Sequence, residues 1–155
     1  MKIHNIADSY QLSSSYSVIL CDLWGVVHNG KEIFEQSKKF LTQVKADGKK
    51  IVLISNAPRP NVVVEDQLIN KLGLSKDLYD FIVTSGDITA ISINDKSFGS
   101  SYYHLGPTKD KDLLENIKLD QKDNLVDADF VLCTGIDDDE IETVDDYKDI
   151  LDEMK

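Results

Sequence analysis

The stretch that decides the fold is Tyr16–Gly30, YSVILCDLWGVVHNG. An apolar run through Val18–Cys21 ends on Asp22, and a glycine-bearing segment, Leu23–Gly30, follows before helical periodicity starts near Lys31. The run is apolar at successive positions, as in a parallel strand covered on both faces by helices. An aspartate at the carboxyl end of such a strand stands where open α/β sheets place their chemistry. The strand holds the carboxylate and the loop beyond leaves room for a ligand. Asp22 is therefore read as the reacting residue.

Outward from this stretch the pattern repeats. Residues 31–46 carry apolar side chains at three- and four-residue spacing (Phe34, Phe40, Leu41, Val44), and Asp47-Gly48 ends the predicted helix. KIVLIS at residues 50–55 is the second strand, closing on SNAPRP; Asn61 is read as the cap of a helix running to Leu72, with Gly73 as terminator. YDFIVT at residues 79–84 is the third strand, and residues 87–93 a short helix. This alternation, with crossovers long enough for parallel pairing, predicts a layered α/β domain over residues 16–94.

Beyond Asn94 the chain changes character. A polar connector leads to a short strand at residues 102–105, a weak helix at 109–118, a strand at 129–134 and a helix at 144–154 striped by Tyr147, Ile150, Leu151 and Met154. Before Tyr16 a short helix is the most that the polar sequence predicts.

Composition narrows the function classes. The 155 residues are 41% hydrophobic with separated apolar runs, which excludes a disordered chain. The net charge of -11 lies in the last third, since residues 1–105 hold 11 acidic and 11 basic residues and residues 106–155 hold 17 and 6. Such a balance argues against nucleic acid and against anionic membrane surfaces. Cys21 and Cys133 both sit in apolar runs and are read as buried free thiols of a reducing compartment. With no apolar leader in MKIHNIADSY and no run near the ~20 residues of a spanning helix, a cytoplasmic location is expected.

Two strand ends carry matched polar groups: Asp22 with the backbone of Leu23–Gly25, and Ser55-Asn56. In a parallel sheet both lie on one carboxyl edge. A carboxylate beside a hydroxyl, an amide and free loop N–H groups suits a phosphoryl group held with a divalent cation. Arg59 is read either as an added guanidinium or as a surface residue. His28 stands near Asp22, whereas His4 and His104 have no partner at zinc-ligand spacing. The acidic run at residues 137–142 lacks the pattern of a calcium loop and reads as a solvated approach to the last helix.

The wording of these segments resembles a known family. DLWGVVHNG (residues 22–30) is similar to the first motif, DxDGVLxxG, of haloacid dehalogenase-like hydrolases of class IIA, the NagD-like subfamily with a large α/β cap inserted after the second motif. IVLISNAPRP (51–60) resembles the second motif, VTSGDITA (83–90) the segment after it, and YYHLG (102–106) with ADFVLCTGIDDDEIETVDDYKDIL (128–151) the opening of the cap. The resemblance spans roughly residues 16–154.

It implies a three-layer, Rossmann-like α/β/α core with a parallel sheet, with residues 1–94 its N-terminal part and 95–155 the linker and beginning of an incomplete cap. By the same resemblance Asp22 is the nucleophile that becomes an aspartyl-phosphate and binds Mg²⁺, with the Trp24 carbonyl a second metal contact. Ser55 is the phosphate-binding hydroxyl, Asn56 helps shape the substrate site, and Gly25 permits the turn beside the nucleophile. The implied ligand is a small phosphorylated molecule.

Two departures stand beside these matches. The residue two beyond the nucleophile, normally the acid/base Asp, is Trp24, whose indole N–H does not shuttle protons. A third-motif Lys and a fourth-motif acidic pair, expected after the cap, are missing. The chain thus reads as the first part of a longer protein. Its open sheet edge and apolar last helix would be covered by a second copy or by a missing C-terminal half.

Three functions follow as expectations. The first is a Mg²⁺-dependent phosphomonoester hydrolase-like protein acting through Asp22. The second is a non-catalytic relative that binds a phosphorylated ligand or a protein partner. The third, a receiver-like phosphoacceptor domain, is disfavoured because no acidic pair precedes the first strand and Ser55-Asn56 would go unexplained.

Overall fold

The computed structural model describes Tyr10, Ser13 and residues 15–138 and 140–154. Most of the short helix expected before Tyr16, and His4, lie outside them. The described residues divide into two compact units, one ending at Ser85 and the other beginning at Gly86.

The first unit is built on three parallel strands in the order β1 (Val18–Asp22), β2 (Lys50–Ser55), β3 (Phe81–Thr84). Register pairs Cys21 with Leu53 and Asp22 with Ile54 across β1 and β2, and Ser55 with Thr84 across β2 and β3. Both crossovers are helical: α1 (Glu35–Ala46), and α2 (Asn61–Asp66), which continues as a π-helical stretch over Gln67–Lys71. Alternation of side chains along each strand, kept in step by the register, explains the core. Ile51, Leu53 and Ile82 point one way and form a single cluster with Leu41 and Val44 of α1, Val64 of α2 and Leu68 just beyond it. The other face carries Val18, Leu20, Ile54, Phe81 and Val83, all exposed.

Local chemistry moved several predicted boundaries. Helix α1 starts at Glu35 rather than Lys31 because His28 bridges Ile33 in antiparallel fashion, which keeps residues 31–33 out of helical conformation. The Asn29 side-chain carbonyl closes the turn before that bridge by accepting the Lys31 and Glu32 N–H groups. Asn61 is the first helical residue and not the cap, which falls on Pro60, a residue pre-set for that place by its fixed φ. β3 begins at Phe81, one residue after Asp80, which is held at the start of β2 and donates its N–H to the Ile51 carbonyl at 2.8 Å.

The second unit begins with α3 (Ser85–Asn94), whose Ser85 lies at the division, and holds a second parallel sheet. Strand β4 (Ser101–Leu105) lies between β5 (Asp120–Lys122) and β6 (Phe130–Cys133). Its core is Ala90, Ile93, Tyr102, Leu113, Ile117 and Leu132, with the Tyr102 ring stacked on Phe130 at 6.1 Å. The weak helix expected over residues 109–118 shortens to a 3₁₀ turn at Thr108–Asp110 followed by α4 (Lys111–Leu114). The last helix likewise begins as a 3₁₀ turn, Val144–Tyr147, before α5 (Lys148–Glu153). Thr143 and Asp146 form a capping box at its start. Both cysteines are free, but only Cys21 is partly buried; Cys133, at the last position of β6, points to solvent, contrary to the reading of two buried thiols.

The alternating α/β order, the parallel sheet and the further strands and helices after it are those of the predicted fold class.

Candidate functional site

The carboxyl ends of β1 and β2 open into a cleft of about 290 Å³. Its polar lining is His28, Ser55, Asn56, Arg59 and Gln67, and its apolar walls include Leu23, Trp24, Pro58 and Val64. Trp24, Ser55, Asn56 and Arg59, singled out from the sequence, are thus brought together. Asp22 and Gly25 are not in the lining. Asp22 stands one residue before it, and its negative charge reaches His28.

Hydrogen bonding determines what each side chain offers. The Ser55 Oγ accepts the Ala57 N–H at 3.1 Å, which leaves its own proton free for an acceptor. Arg59 donates to the Gln67 Oε1 at 3.0 Å and forms no ion pair with any described carboxylate. Gln67 was not anticipated, because its link to Arg59 depends on the turn of chain between them and no local signal marks it. No aspartate or glutamate lines the cleft. A hollow lined by donors and one unneutralised guanidinium favours an anion with several acceptor oxygens.

The loop between Asp22 and Gly30 is internally braced. Leu23 takes the Ile54 carbonyl, continuing the ladder for one residue, and the Leu23 carbonyl then accepts from Val27 at 2.8 Å and His28 at 3.1 Å. Gly25, at φ +79°, turns the chain in a conformation costly for other residues, and its N–H returns to the His28 carbonyl at 2.8 Å. Trp24 is 64% exposed, yet its ring lies on Gly30: a Cβ there would come within 2.8 Å of the indole. The Trp24 and His28 rings meet edge-on, 5.6 Å between centroids at 83°.

His28 is 6% exposed. Burial holds its pKa below the usual histidine value, opposed by the charge of Asp22. Next to the site, Cys21 is pushed up to about 11 by burial and then by Asp22, so it stays a thiol at neutral pH.

Among the described residues no group of three or more His, Cys, Asp or Glu side chains could hold a metal ion. Magnesium, however, commonly takes only one or two carboxylates and completes its shell with water and phosphate oxygens. The Asp22 carboxylate and the Trp24 carbonyl, neither of which has a described hydrogen-bond donor, fit that minimal oxygen set. His104 bonds Thr134 at 3.0 Å, and the acidic run at residues 137–142 is occupied with its own turn, Glu142 accepting from Asp138 N–H and Tyr147. No described helix is long and apolar enough to cross a membrane.

Comparison with known proteins bears on this site. The profile of the haloacid dehalogenase-like hydrolases matches residues 19–120, which include both strand ends and the cleft. None of the curated proteins matches significantly. A crystal structure of a hydrolase of the haloacid dehalogenase-like family from Brucella suis 1330 superposes with a TM-score of 0.83 at 34% identity, covering 99% of this chain and 56% of that one. A protein carrying the provisional description of a nagD protein aligns at TM-score 0.59 and 22% identity over 85% of this chain and 50% of its own. A hypothetical protein from Pyrococcus horikoshii OT3 gives 0.52 and 15% over 68% and 40%. These last two share the fold. The present chain therefore spans little more than half the length of the Brucella protein. With about two thirds of its residues matched by the family profile, this chain belongs to the haloacid dehalogenase-like hydrolases.

Proposed function

We propose that the chain carries the phosphate-handling part of a phosphomonoester hydrolase-like protein, with Asp22 as nucleophile. The observation that carries this reading is the cleft at the ends of β1 and β2, with Ser55, Asn56, His28 and Arg59 around it and Asp22 one residue before its lining, Arg59 being bonded to the neutral Gln67 and to no described carboxylate. Three phosphoryl oxygens require several convergent donors, and these residues supply them.

In this reading the Asp22 carboxylate attacks phosphorus as the ester P–O bond breaks, and the leaving oxygen takes its proton from solvent. Water then attacks the same phosphorus, the P–O bond to Asp22 breaks, and the carboxylate and inorganic phosphate are released. Bound Mg²⁺, held by the Asp22 carboxylate and Trp24 carbonyl, would neutralise charge on the phosphoryl oxygens. Ser55 and Arg59 hold the phosphoryl group; Asn56 shapes the mouth of the cleft. Trp24 stands where family members have an acid/base aspartate, and its indole N–H, a hydrogen-bond donor only, does not act as a general acid or base at neutral pH. Turnover is accordingly expected to be slow by roughly 10²–10⁴-fold. We assign residues 95–155 to the beginning of a class IIA cap and the substrate to a small phosphorylated molecule.

Phosphate release from a panel of phosphomonoesters with Mg²⁺ tests this. Replacing Asp22 with Asn should reduce release to background, and Trp24→Asp should raise it. Undiminished turnover in Asp22→Asn sinks the assignment. Trp24 also favours a second reading, a non-catalytic relative that binds a phosphorylated ligand or a protein partner. That reading gains if the chain binds inorganic phosphate yet turns over nothing in the panel.

A further inference from the structure

We propose that His28 is a substrate-binding residue whose Nε2–H donates a hydrogen bond to a phosphoryl oxygen in the cleft, with its ring orientation fixed by Gly30 and Trp24. This rests on the phosphate-site reading above and goes beyond it by giving His28 a defined role.

The argument begins at Nδ1. This nitrogen accepts the Gly30 backbone N–H at 2.9 Å. A backbone N–H is always a donor, so Nδ1 must present its lone pair, and the ring hydrogen resides on Nε2. The ring consequently offers the cleft a hydrogen and not a lone pair. It is a donor there and no substitute for the acid/base carboxylate that Trp24 displaces.

The second step concerns where that hydrogen points. His28 is 94% buried, being 6% exposed, and lines the cleft. Among the described residues Nε2 has no hydrogen-bond partner, yet no buried side-chain nitrogen or oxygen is left unsatisfied. The small accessible part of the residue therefore includes Nε2. An almost wholly buried side chain keeps one unpaired donor, and that donor reaches the outside where the cleft is. A ligand acceptor there would satisfy a polar group that otherwise holds only solvent.

The third step is rigidity. The Trp24 indole packs edge-on against the imidazole and lies on Gly30, where a side chain would strike it. One glycine thus serves twice, through its N–H on Nδ1 and through its missing Cβ under the indole. A donor held this way loses little conformational freedom when a ligand arrives, which is what a binding residue needs.

Inorganic phosphate is the probe. In ¹⁵N-labelled full chain at neutral pH, long-range nitrogen–proton correlations should show His28 protonated on Nε2, with that resonance moving as phosphate is added to saturation. His28→Phe should bind phosphate roughly 10- to 100-fold more weakly, the range for a hydrogen bond to a charged partner, and His28→Gln, whose amide N–H reaches the Nε2 position, should recover most of the loss. Arg59→Ala serves as the control for the cleft. A His28 protonated on Nδ1, or an Nε2 unmoved at saturation, overturns the proposal without recourse to a variant. If His28→Phe binds as the wild type does while Arg59→Ala does not, the role of His28 fails and the phosphate site stands. If the wild type binds no phosphate at all, both fall together.

Discussion

At the scale of single residues, the loop after β1 depends on Gly30 more than its place in a polar turn implies. Its φ of +85° lies in the left-handed region, and a Cβ would meet the Trp24 ring at 2.8 and 2.9 Å. Gly30→Ala is expected to destabilise the chain by about 1–2 kcal/mol from backbone conformation alone. It should also displace the indole. Trp24 is the sole tryptophan, so its fluorescence reports the movement directly. An unchanged emission spectrum in Gly30→Ala would mean that the ring does not rest on the glycine. The cysteines give a second residue-scale prediction. Cys21 is partly buried with its thiol pushed up to about 11, whereas Cys133 is exposed. Alkylation at about pH 8 should modify Cys133 first and leave Cys21 largely intact until the chain is unfolded, as mass spectrometry of labelled peptides would register.

Among the elements, β2 is the organising strand, and Asp80 ties its start to its neighbours. One carboxylate oxygen accepts from Lys45 Nζ, at the end of α1, and from the Ile51 N–H, both at 2.8 Å; the other accepts from Lys50 Nζ at 2.9 Å. The hydrogen bond from Lys45, then the Ile51 N–H and Lys50, hold the Asp80 carboxyl far below the usual carboxylate range. A group whose folded pKa is depressed stabilises the fold above its unfolded value and loses that contribution as pH falls toward the folded value. Asp80→Asn should therefore lower the denaturant midpoint at neutral pH, and the gap from wild type should close progressively below the ordinary aspartate value of 3.8. A gap independent of pH would remove Asp80 from this role. In the core beneath, Leu53 is fully buried, and Leu53→Ala should cost about 2–5 kcal/mol in equilibrium unfolding.

The same elements show what the sequence made legible. β2 was readable to the residue because KIVLIS is bounded by Gly48 on one side and by a polar, proline-bearing segment on the other. β5, Asp120–Lys122, was not foreseen: its residues are Asp, Gln and Lys, and pairing with β4 alone makes them a strand. The start of α1 was misplaced because the His28–Ile33 bridge keeps residues 31–33 out of the helix, and no pattern of residue types marks that pairing. Around the cleft, Ser55 and Asn56 were read from the polar end of the second strand and Trp24 from the resemblance of the first motif, whereas the donor character of His28 depends on one backbone bond from Gly30 that no pattern of residue types encodes.

For the molecule as a whole, the informative surface is the sheet face turned away from α1 and α2. Leu20 is 65% and Phe81 61% exposed, with Val18, Ile54 and Val83 beside them on the same parity of the three strands. β-branched and aromatic side chains at alternate positions of paired strands form a contiguous apolar surface, and patches of that kind are seldom left in water by a monomeric soluble domain. The described strands also leave β1 paired on one edge only, with β2. The chain spans 56% of the length of the Brucella hydrolase. Isolated as 155 residues, the chain should bind an apolar fluorescent dye strongly under native conditions. Replacing Leu20 and Phe81 together with Lys should abolish most of that binding, because both changes lie on the outward parity and remove no contact with the Leu53 cluster. Far-UV circular dichroism and the denaturant midpoint should stay near those of the wild type. Dye binding that survives the double substitution would relocate the apolar surface, and loss of the folded signal would mean that Leu20 and Phe81 are packed within the unit.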